Sequence, residues 1–244
     1  MWLALLLVCI NLWQSHGCNV PRVYVGDDQE MALESDKPVV FVLNKARNAE
    51  LGKRLDRTSL LKSHGDSEVI LSSSNSYSHG VLRMKLYEYI HTVVDVRVQA
   101  ERADHLWYMF GHNDPREPWK SIIRENYVRP PCGPVCLGSD ATPTLGIGSS
   151  GSGTSFHFHG PAISEVIIGA KRWFIYPLHL KPDLKLWQNL SMATWVEKVL
   201  PSLPDRDSIY DCTISPGELL YFPSQFIHAT LNTESYNVFV SVFV

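Results

Sequence analysis

Residues 144–244 form a series of short apolar runs separated by glycine and proline, and this pattern restricts the fold more than any other feature. The runs are rich in β-branched and aromatic residues, which favour strands. They read TLGIGSS, SFHFH, ISEVIIG, KRWFIYP, YDCTI, ELLYF, FIHATL and NVFVSVFV. Many short strands with such punctuation are typical of a barrel or a double-sheet sandwich. The sequence therefore predicts a mainly β core over residues 144–244.

The first half of the chain has helical patterns and two strand candidates. Residues 46–63 are charged with leucines at helical spacing, and Leu86 begins a second run whose apolar residues share one helix face. PVVFVL and EVILSS predict strands, and Ser191 is the expected N-cap of one helix inserted into the core. Residues 18–143 and 144–244 have too little apolar pattern to fold separately. We therefore expect a single domain over residues 18–244.

The first 17 residues are expected to be a secretory signal peptide. They are apolar from Trp2 to Trp13 and end in small or polar residues suited to cleavage before Cys18. The run is shorter than the roughly 20 apolar residues that span a bilayer. An uncleaved anchor and a buried terminal strand are the alternatives. We expect the endoplasmic reticulum lumen, with secretion as the other destination, and no membrane span after cleavage.

Cysteines and a glycosylation triplet agree with that compartment. The cysteines beyond the signal peptide are Cys18, Cys132, Cys136 and Cys212, which permit three pairings. An oxidising lumen favours disulfides over zinc, and one pairing closes the loop from Cys132 to Cys136 while Cys18 joins Cys212. Asn189 begins an Asn-Leu-Ser acceptor triplet.

The overall charge gives no sign of nucleic-acid binding. The formal net charge is -3 and the pI is near 6.4. A nucleic-acid-binding surface needs clustered basic residues to displace counterions. We expect a protein substrate or a protein partner instead.

Two histidines two positions apart predict a metal site. They lie in GTSFHFHGP, residues 153–161, where a strand would direct His157 and His159 to one side and Phe158 to the other. Imidazoles that converge on one point are transition-metal ligands, and His228, within a later strand, is the expected third. The alternative is that each is an ordinary core or surface histidine, which we favour for the histidines outside this group.

Three segments of the sequence resemble the JmjC domain family. They are GTSFHFHG, IIGAKRWFIYP and PGELLYFPSQFIHATLN. The resemblance implies a cupin-type double-stranded β-helix, or jelly roll, with flanking N-terminal helices and one inserted helix, which usually binds Fe(II) and 2-oxoglutarate. His157 and His228 match the first and last metal ligands of the family, and Lys171 matches the lysine that pairs with the distal carboxylate of 2-oxoglutarate. Thr154 and Ser241 match further co-substrate contacts.

Position 159 departs from the family pattern, which has Asp or Glu there. A histidine leaves the metal without the one negative charge that a carboxylate ligand supplies. If the strand from Ile163 is regular, Glu165 and Lys171 face the same side, and Glu165 becomes a candidate fourth ligand. A bulge or a Glu165–Lys171 ion pair is the alternative, and three histidines alone are a further arrangement that holds iron.

The resemblance and the signal peptide together imply a lumenal Fe(II)/2-oxoglutarate-dependent JmjC oxygenase that hydroxylates a protein side chain. Two alternatives stay open. The first is a catalytically impaired JmjC fold that acts as a binding or regulatory protein of the endoplasmic reticulum. The second is a non-oxygenase cupin that binds Zn or Mn.

Overall fold

The computed structural model describes residues 18–27, 29–33, 35–73, 80–95, 106–110, 119–132, 143–187 and 190–243. The expected signal peptide, Cys136 and Asn189 lie outside these residues.

Short strands make up most of the regular structure in the described residues. They are β1 (Arg22–Tyr24), β2 (Val39–Val42), β3 (Glu68–Ser73), β4 (Val81–Lys85), β5 (Trp107–Tyr108), β6 (Thr144–Gly148), β7 (Ala162–Ile168), β8 (Lys171–Ile175), β9 (Tyr210–Ile214), β10 (Glu218–Phe222), β11 (His228–Asn232) and β12 (Asn237–Phe243).

Helices are short and lie mostly before β6. The α-helices are α1 (Ala49–Leu55), α2 (Arg57–His64), α3 (Leu86–Tyr89), α4 (Trp119–Asn126) and α5 (Met192–Thr194). The chain continues from α3 and α5 into π-helical turns, Ile90–Val94 and Trp195–Val199. The 3₁₀ turns are Lys45–Asn48, Leu184–Trp187, Leu200–Ser202 and Arg206–Ser208.

The strands form a six-stranded sheet and two three-stranded sheets. Their strand orders are β1-β2-β10-β7-β12-β6, β11-β8-β9 and β4-β3-β5. Neighbours are antiparallel except β1 and β2, which are parallel. The mainly β, cupin-like prediction is confirmed, as are helices before the core and one helix inserted within it.

Alternating side chains of the six-stranded sheet and of the β11-β8-β9 sheet meet in a shared interior. Trp173 and Ile175 of β8 pack there with Leu220 and Phe222 of β10. Because successive strand residues face opposite sides, Lys171 of β8 points to the same interior. The space between these two sheets is therefore where strand periodicity concentrates functional side chains.

Helical layers cover the outer faces of both sheets. Leu51 and Leu55 of α1 pack with Val238 and Val240 of β12 on the six-stranded sheet. On the β11-β8-β9 sheet, the segment that starts with α5 buries Trp195 against strand residues. The expected cap is confirmed, since the Ser191 side chain accepts a hydrogen bond from the Thr194 N–H at 3.1 Å.

The charged segment 46–63 forms two helices instead of one. Asp56 has φ -52° and ψ 138°, which interrupts the helical path between α1 and α2. Its carboxylate accepts hydrogen bonds from the backbone N–H groups of Thr58 and Ser59, at 3.1 and 3.3 Å. An aspartate that caps a new helix offsets the loss of continuous helical hydrogen bonds.

Glu165 lies on the outer face of the six-stranded sheet, so its assignment as a fourth metal ligand is wrong. Its carboxylate accepts hydrogen bonds from Asn48 Nδ2 and the Tyr127 hydroxyl, both at 2.9 Å, and forms an ion pair with Arg47. The alternative ion pair with Lys171 is wrong for the same reason.

The prediction for Glu165 was wrong because it extended the alternation of β7 beyond the last residue of that strand. β7 stops at Ile168, and Gly169 has φ +83°, a conformation that favours glycine. A Cβ at Gly169 would come within 2.6 Å of the Tyr236 carbonyl oxygen. The chain turns here into β8, which belongs to the other sheet, so Glu165 and Lys171 share no face.

A disulfide joins Cys18 to Cys212 of β9. The neighbouring Asn19 side chain donates to the Ile209 carbonyl at 2.7 Å and accepts from the Asp211 N–H at 2.7 Å. These contacts fix the start of the described chain to β9. Cys132 is also disulfide-bonded.

Within the described residues, every helix is too short or too polar to cross a membrane.

We predict that Glu165→Ala lowers the free energy of unfolding by about 3–5 kcal/mol, because it leaves the Arg47 guanidinium without its buried partner. Urea denaturation measures the change. Glu50→Ala is the matched control: Glu50 pairs with Arg54 at 3.3 Å, but its side chain is 57% exposed, and exposed pairs contribute less than about 1 kcal/mol. Equal losses in the two variants would contradict the buried network.

Candidate metal centre

The glycine-rich segment that leads to His157 is attached to β11 by backbone hydrogen bonds. The Asn232 N–H donates to the Ser152 carbonyl at 2.8 Å, the Thr230 N–H donates to the Thr154 carbonyl at 2.9 Å, and a bridge follows at His157.

The His157 N–H donates to the His228 carbonyl at 3.0 Å, and the His228 N–H donates to the His157 carbonyl at 2.9 Å. The prediction of a regular strand is wrong here, and Phe158 is 56% exposed. The next backbone contact, from the Gln225 N–H to the His159 carbonyl, comes from the turn before β11 and does not continue the strand pairing.

Three imidazoles meet at this bridge. One ring nitrogen from each of His157, His159 and His228 lies within 4.8 Å of the others. The ring centroids are 5.3 Å apart for His157 and His159, 4.2 Å for His157 and His228, and 4.7 Å for His159 and His228. The described residues contain no other cluster of three potential metal ligands.

Backbone carbonyls fix the tautomer of each imidazole. Every Nδ1 lies within hydrogen-bonding distance of a carbonyl oxygen, which accepts hydrogen bonds but cannot donate them. Each Nδ1 therefore carries the proton, and the lone pair of Nε2 stays available for a metal. The pairs are His157 with Ser155 at 2.8 Å, His159 with Gly160 at 2.7 Å and His228 with Phe226 at 2.8 Å.

Burial keeps the three rings uncharged at neutral pH. It lowers the pKa of His157 to about 4, lowers the pKa of His228 well below its ordinary value and lowers that of His159 as well. Metal ions bind the neutral form of histidine. The donor set therefore fits a divalent transition metal.

Lys171 places a basic amine in the same pocket. Its side chain is fully buried, and Nζ donates to the Tyr108 hydroxyl at 2.9 Å and to Asn232 Oδ1 at 3.4 Å. Nζ also lies 3.6 Å from the centroid of the Phe239 ring. These partners are uncharged, and burial lowers the pKa of the lysine well below its ordinary value. An anion bound beside Nζ would stabilise the charged form.

The remaining polar side chains in the pocket are hydroxyls. Thr154 and Ser241, which the family resemblance implies as co-substrate contacts, line it together with Thr230 and Ser164. The Ser241 hydroxyl donates to the Ser164 hydroxyl at 2.9 Å, across β12 and β7. These groups hydrogen-bond to a polar ligand without adding charge.

Sequence reasoning missed Tyr108, Asn232 and Ser164. Strand alternation from His228 places Asn232 on the His228 face of β11, which is a signal that was available. Strand alternation places Ser164 on the face opposite its neighbour Glu165. Because Glu165 was assigned to the inner face, Ser164 was not expected in the pocket. Tyr108 belongs to a strand of two residues, too short for a periodic pattern.

The pocket has an aromatic wall and encloses about 370 Å³ of space not filled by protein atoms, partly open to solvent. Its described lining contains no carboxylate. The aromatic residues are Phe110, Trp173, Phe222, Phe239 and Phe243. Such a wall limits water around the imidazoles and Lys171, and it strengthens their interactions with a bound ion. The arrangement is suited to hold a divalent metal and a small anion side by side.

Comparisons with known proteins agree with these features. Residues 151–244 match the protein family described as the JmjC domain. Human JmjC domain-containing protein 8 is 38% identical over 197 residues, which cover 81% of this chain and 72% of the relative. The mouse protein of that name is 36% identical over 208 residues, covering 85% and 74%. An Arabidopsis thaliana protein called lysine-specific demethylase JMJ21 is 32% identical over 104 residues, covering 36% and 11%. The extent of the match to the human relative and the matched JmjC segment show that the chain belongs to the JmjC domain family.

Proposed function

We propose that the protein is an Fe(II)- and 2-oxoglutarate-dependent oxygenase that hydroxylates a protein side chain. The observation that carries the proposal is the placement of three neutral imidazoles and one buried lysine in a single pocket. The imidazole lone pairs can bind a transition metal, and the protonated lysine can bind a carboxylate of a dicarboxylate ligand. Membership of the JmjC family supports this combination.

Each residue has a distinct task in the proposed mechanism. His157, His159 and His228 hold the metal, and their carbonyl-bound Nδ1 atoms keep the rings oriented. Lys171 pairs with the distal carboxylate of 2-oxoglutarate. When bound, Fe(II) and 2-oxoglutarate would activate O2, so that one oxygen atom hydroxylates a C–H bond of the substrate while 2-oxoglutarate is oxidised to succinate and CO2.

Hydroxyl and aromatic side chains complete the site. Thr154 and Ser241 orient the co-substrate through hydrogen bonds, and Tyr108 holds the Lys171 ammonium in place. Phe222 and Phe239 line the pocket and limit the water in it. Exclusion of water strengthens the ion pair between Lys171 and the carboxylate.

A second candidate is a JmjC fold retained for binding or regulation, with impaired catalysis. The donor set favours it, because the described residues provide no carboxylate at the three histidines and Glu165 is engaged on the opposite face of the sheet. A centre of neutral imidazoles also suits Zn, so a non-oxygenase metal-binding cupin is the third candidate.

We further propose that the protein resides in the endoplasmic reticulum lumen. The disulfide between Cys18 and Cys212 supports an oxidising compartment, because such bonds are rare in the cytosol. The apolar N-terminal segment and the acceptor triplet at Asn189 agree with that compartment.

Metal content tests the centre directly. We predict that His157→Ala or His228→Ala weakens metal binding by more than about 100-fold, because loss of a direct ligand costs more than the 10–100-fold typical of an outer-shell partner. Elemental analysis after dialysis with Fe(II) measures occupancy. His179→Ala, on the exposed surface, and Glu165→Gln should keep the metal. If Glu165→Gln lost the metal while His179→Ala kept it, Glu165 would be identified as a carboxylate ligand.

Co-substrate binding tests the oxygenase. We predict that Lys171→Met weakens 2-oxoglutarate binding at least about 30-fold, since removing one partner of a buried charge pair costs 2 kcal/mol or more. Calorimetry on Mn(II)-loaded protein measures affinity, and succinate formation by Fe(II)-loaded protein measures turnover. Lys62→Met, at an exposed position, is the control. Metal binding without succinate above the His157→Ala background would favour the second or third candidate.

The compartment has its own test. We predict that protein expressed in animal cells carries a glycan at Asn189 that endoglycosidase H removes, because lumenal glycans that have not passed the Golgi stay sensitive to this enzyme. Gel mobility before and after digestion measures it. Gln188→Ala keeps the triplet and should behave as wild type, whereas Asn189→Gln should show no shift. An unglycosylated wild type would argue against entry into the lumen.

A further inference from the structure

The turn between β10 and β11 contains a strained residue. Gln225 has φ 71° and is the one non-glycine residue with positive φ in the described part of the chain. This conformation is uncommon for residues with a Cβ, with Asn and Asp better tolerated than most. The Gln225 side chain is exposed, and its amide lies 3.4 Å from the Ser224 hydroxyl. An exposed side chain with one long contact does not offset backbone strain.

The backbone of this turn contacts the histidines. The Gln225 N–H donates to the His159 carbonyl at 2.9 Å. The next residue, Phe226, is buried, and its carbonyl is the partner of His228 Nδ1 at 2.8 Å. The turn therefore contacts the backbone of His159 and the ring of His228.

The other end of the turn is anchored to the sheet. The Tyr176 N–H, just after β8, donates to the Ile227 carbonyl at 2.8 Å. With this end fixed, the left-handed conformation of Gln225 determines where its N–H points. A turn with ordinary backbone angles at this position would direct the N–H elsewhere.

His159 depends on this contact more than the other two histidines do. The paired hydrogen bonds between His157 and His228 hold those two backbones together, and His159 lies beyond that bridge. The Gln225 N–H links the backbone of His159 to the segment that carries His228.

We propose that Gln225 is a positioning residue of the three histidines, and that it acts through its left-handed backbone and not through its side chain. The strain at Gln225 holds the His159 carbonyl, and with it the ring, at the distance from His157 and His228 that a metal requires. The inference rests on the metal site in the proposed function.

The test compares Zn(II) affinity in variants that differ in backbone preference at one position. Gln225→Gly accepts the left-handed conformation at no steric cost, whereas the β-branched Gln225→Val does not. We expect Gln225→Gly to bind Zn(II) at least as tightly as wild type. Gln225→Val should bind about 10–100-fold more weakly, the loss typical of outer-shell partners of metal ligands. Competition with a chromophoric chelator measures both affinities.

Ser224→Val is the matched control, because it places the same side chain on the exposed neighbouring residue, whose φ is not positive. It should bind Zn(II) as wild type does. Equal affinities for Gln225→Gly and Gln225→Val, or equal losses in both, would overturn the proposal. If Gln225→Val does not fold, Gln225→Ala replaces it and should bind Zn(II) more weakly than Gln225→Gly, because its Cβ disfavours the left-handed conformation.

A measurement without metal separates this inference from the proposed function. In wild type and Gln225→Gly, nuclear Overhauser contacts are expected between the rings of His159 and His228, whose centroids are 4.7 Å apart. Gln225→Val should lose them, and their persistence would overturn the proposal. If wild type binds no Zn(II), the metal function fails, while the ring contacts still decide whether Gln225 positions His159.

Discussion

The paired backbone hydrogen bonds between His157 and His228 are the contact on which the site depends. They attach a glycine-rich segment, which forms no strand of its own, to the first residue of β11. Because the two bridged residues are also two of the converging histidines, the contact that closes this sheet edge also brings two of the three imidazoles together. The turn at Gln225 and the strand register of β11 and β8 then set the positions of the third imidazole and of Lys171.

The six-stranded sheet separates two groups of charges. On its outer face, the Glu165 carboxylate is held by Arg47, Asn48 and Tyr127. On its inner face, the described pocket contains neutral imidazoles, hydroxyls and the Lys171 amine. A carboxylate that belonged to the pocket would pair with Lys171 and compete with an anionic ligand. Its placement on the opposite face leaves the lysine with uncharged partners, which favours recognition of an external anion.

Much of the architecture follows from local pattern. Alternation along β8 and β11 explains why Lys171, His228 and Asn232 face one interior, and the apolar runs that predicted strands at β7, β10 and β12 do form them. Reasoning failed where a pattern was extended across a break. Asp56 divides the expected helix, Gly169 turns the chain between sheets and so reverses the face expected for Glu165, and the segment around Phe158 is held by loop contacts.

The sequence by itself determined the strand-rich core, the capped helix inserted at Ser191 and the histidines that a metal site requires, because these depend on residue types and on spacing within a few positions. Only the tertiary structure decided that Tyr108 contacts Lys171, that Glu165 is turned away and that Gln225 holds His159. Those contacts join segments far apart in the chain. Their geometry depends on how the sheets pack and where the turns redirect the backbone, which no local spacing specifies.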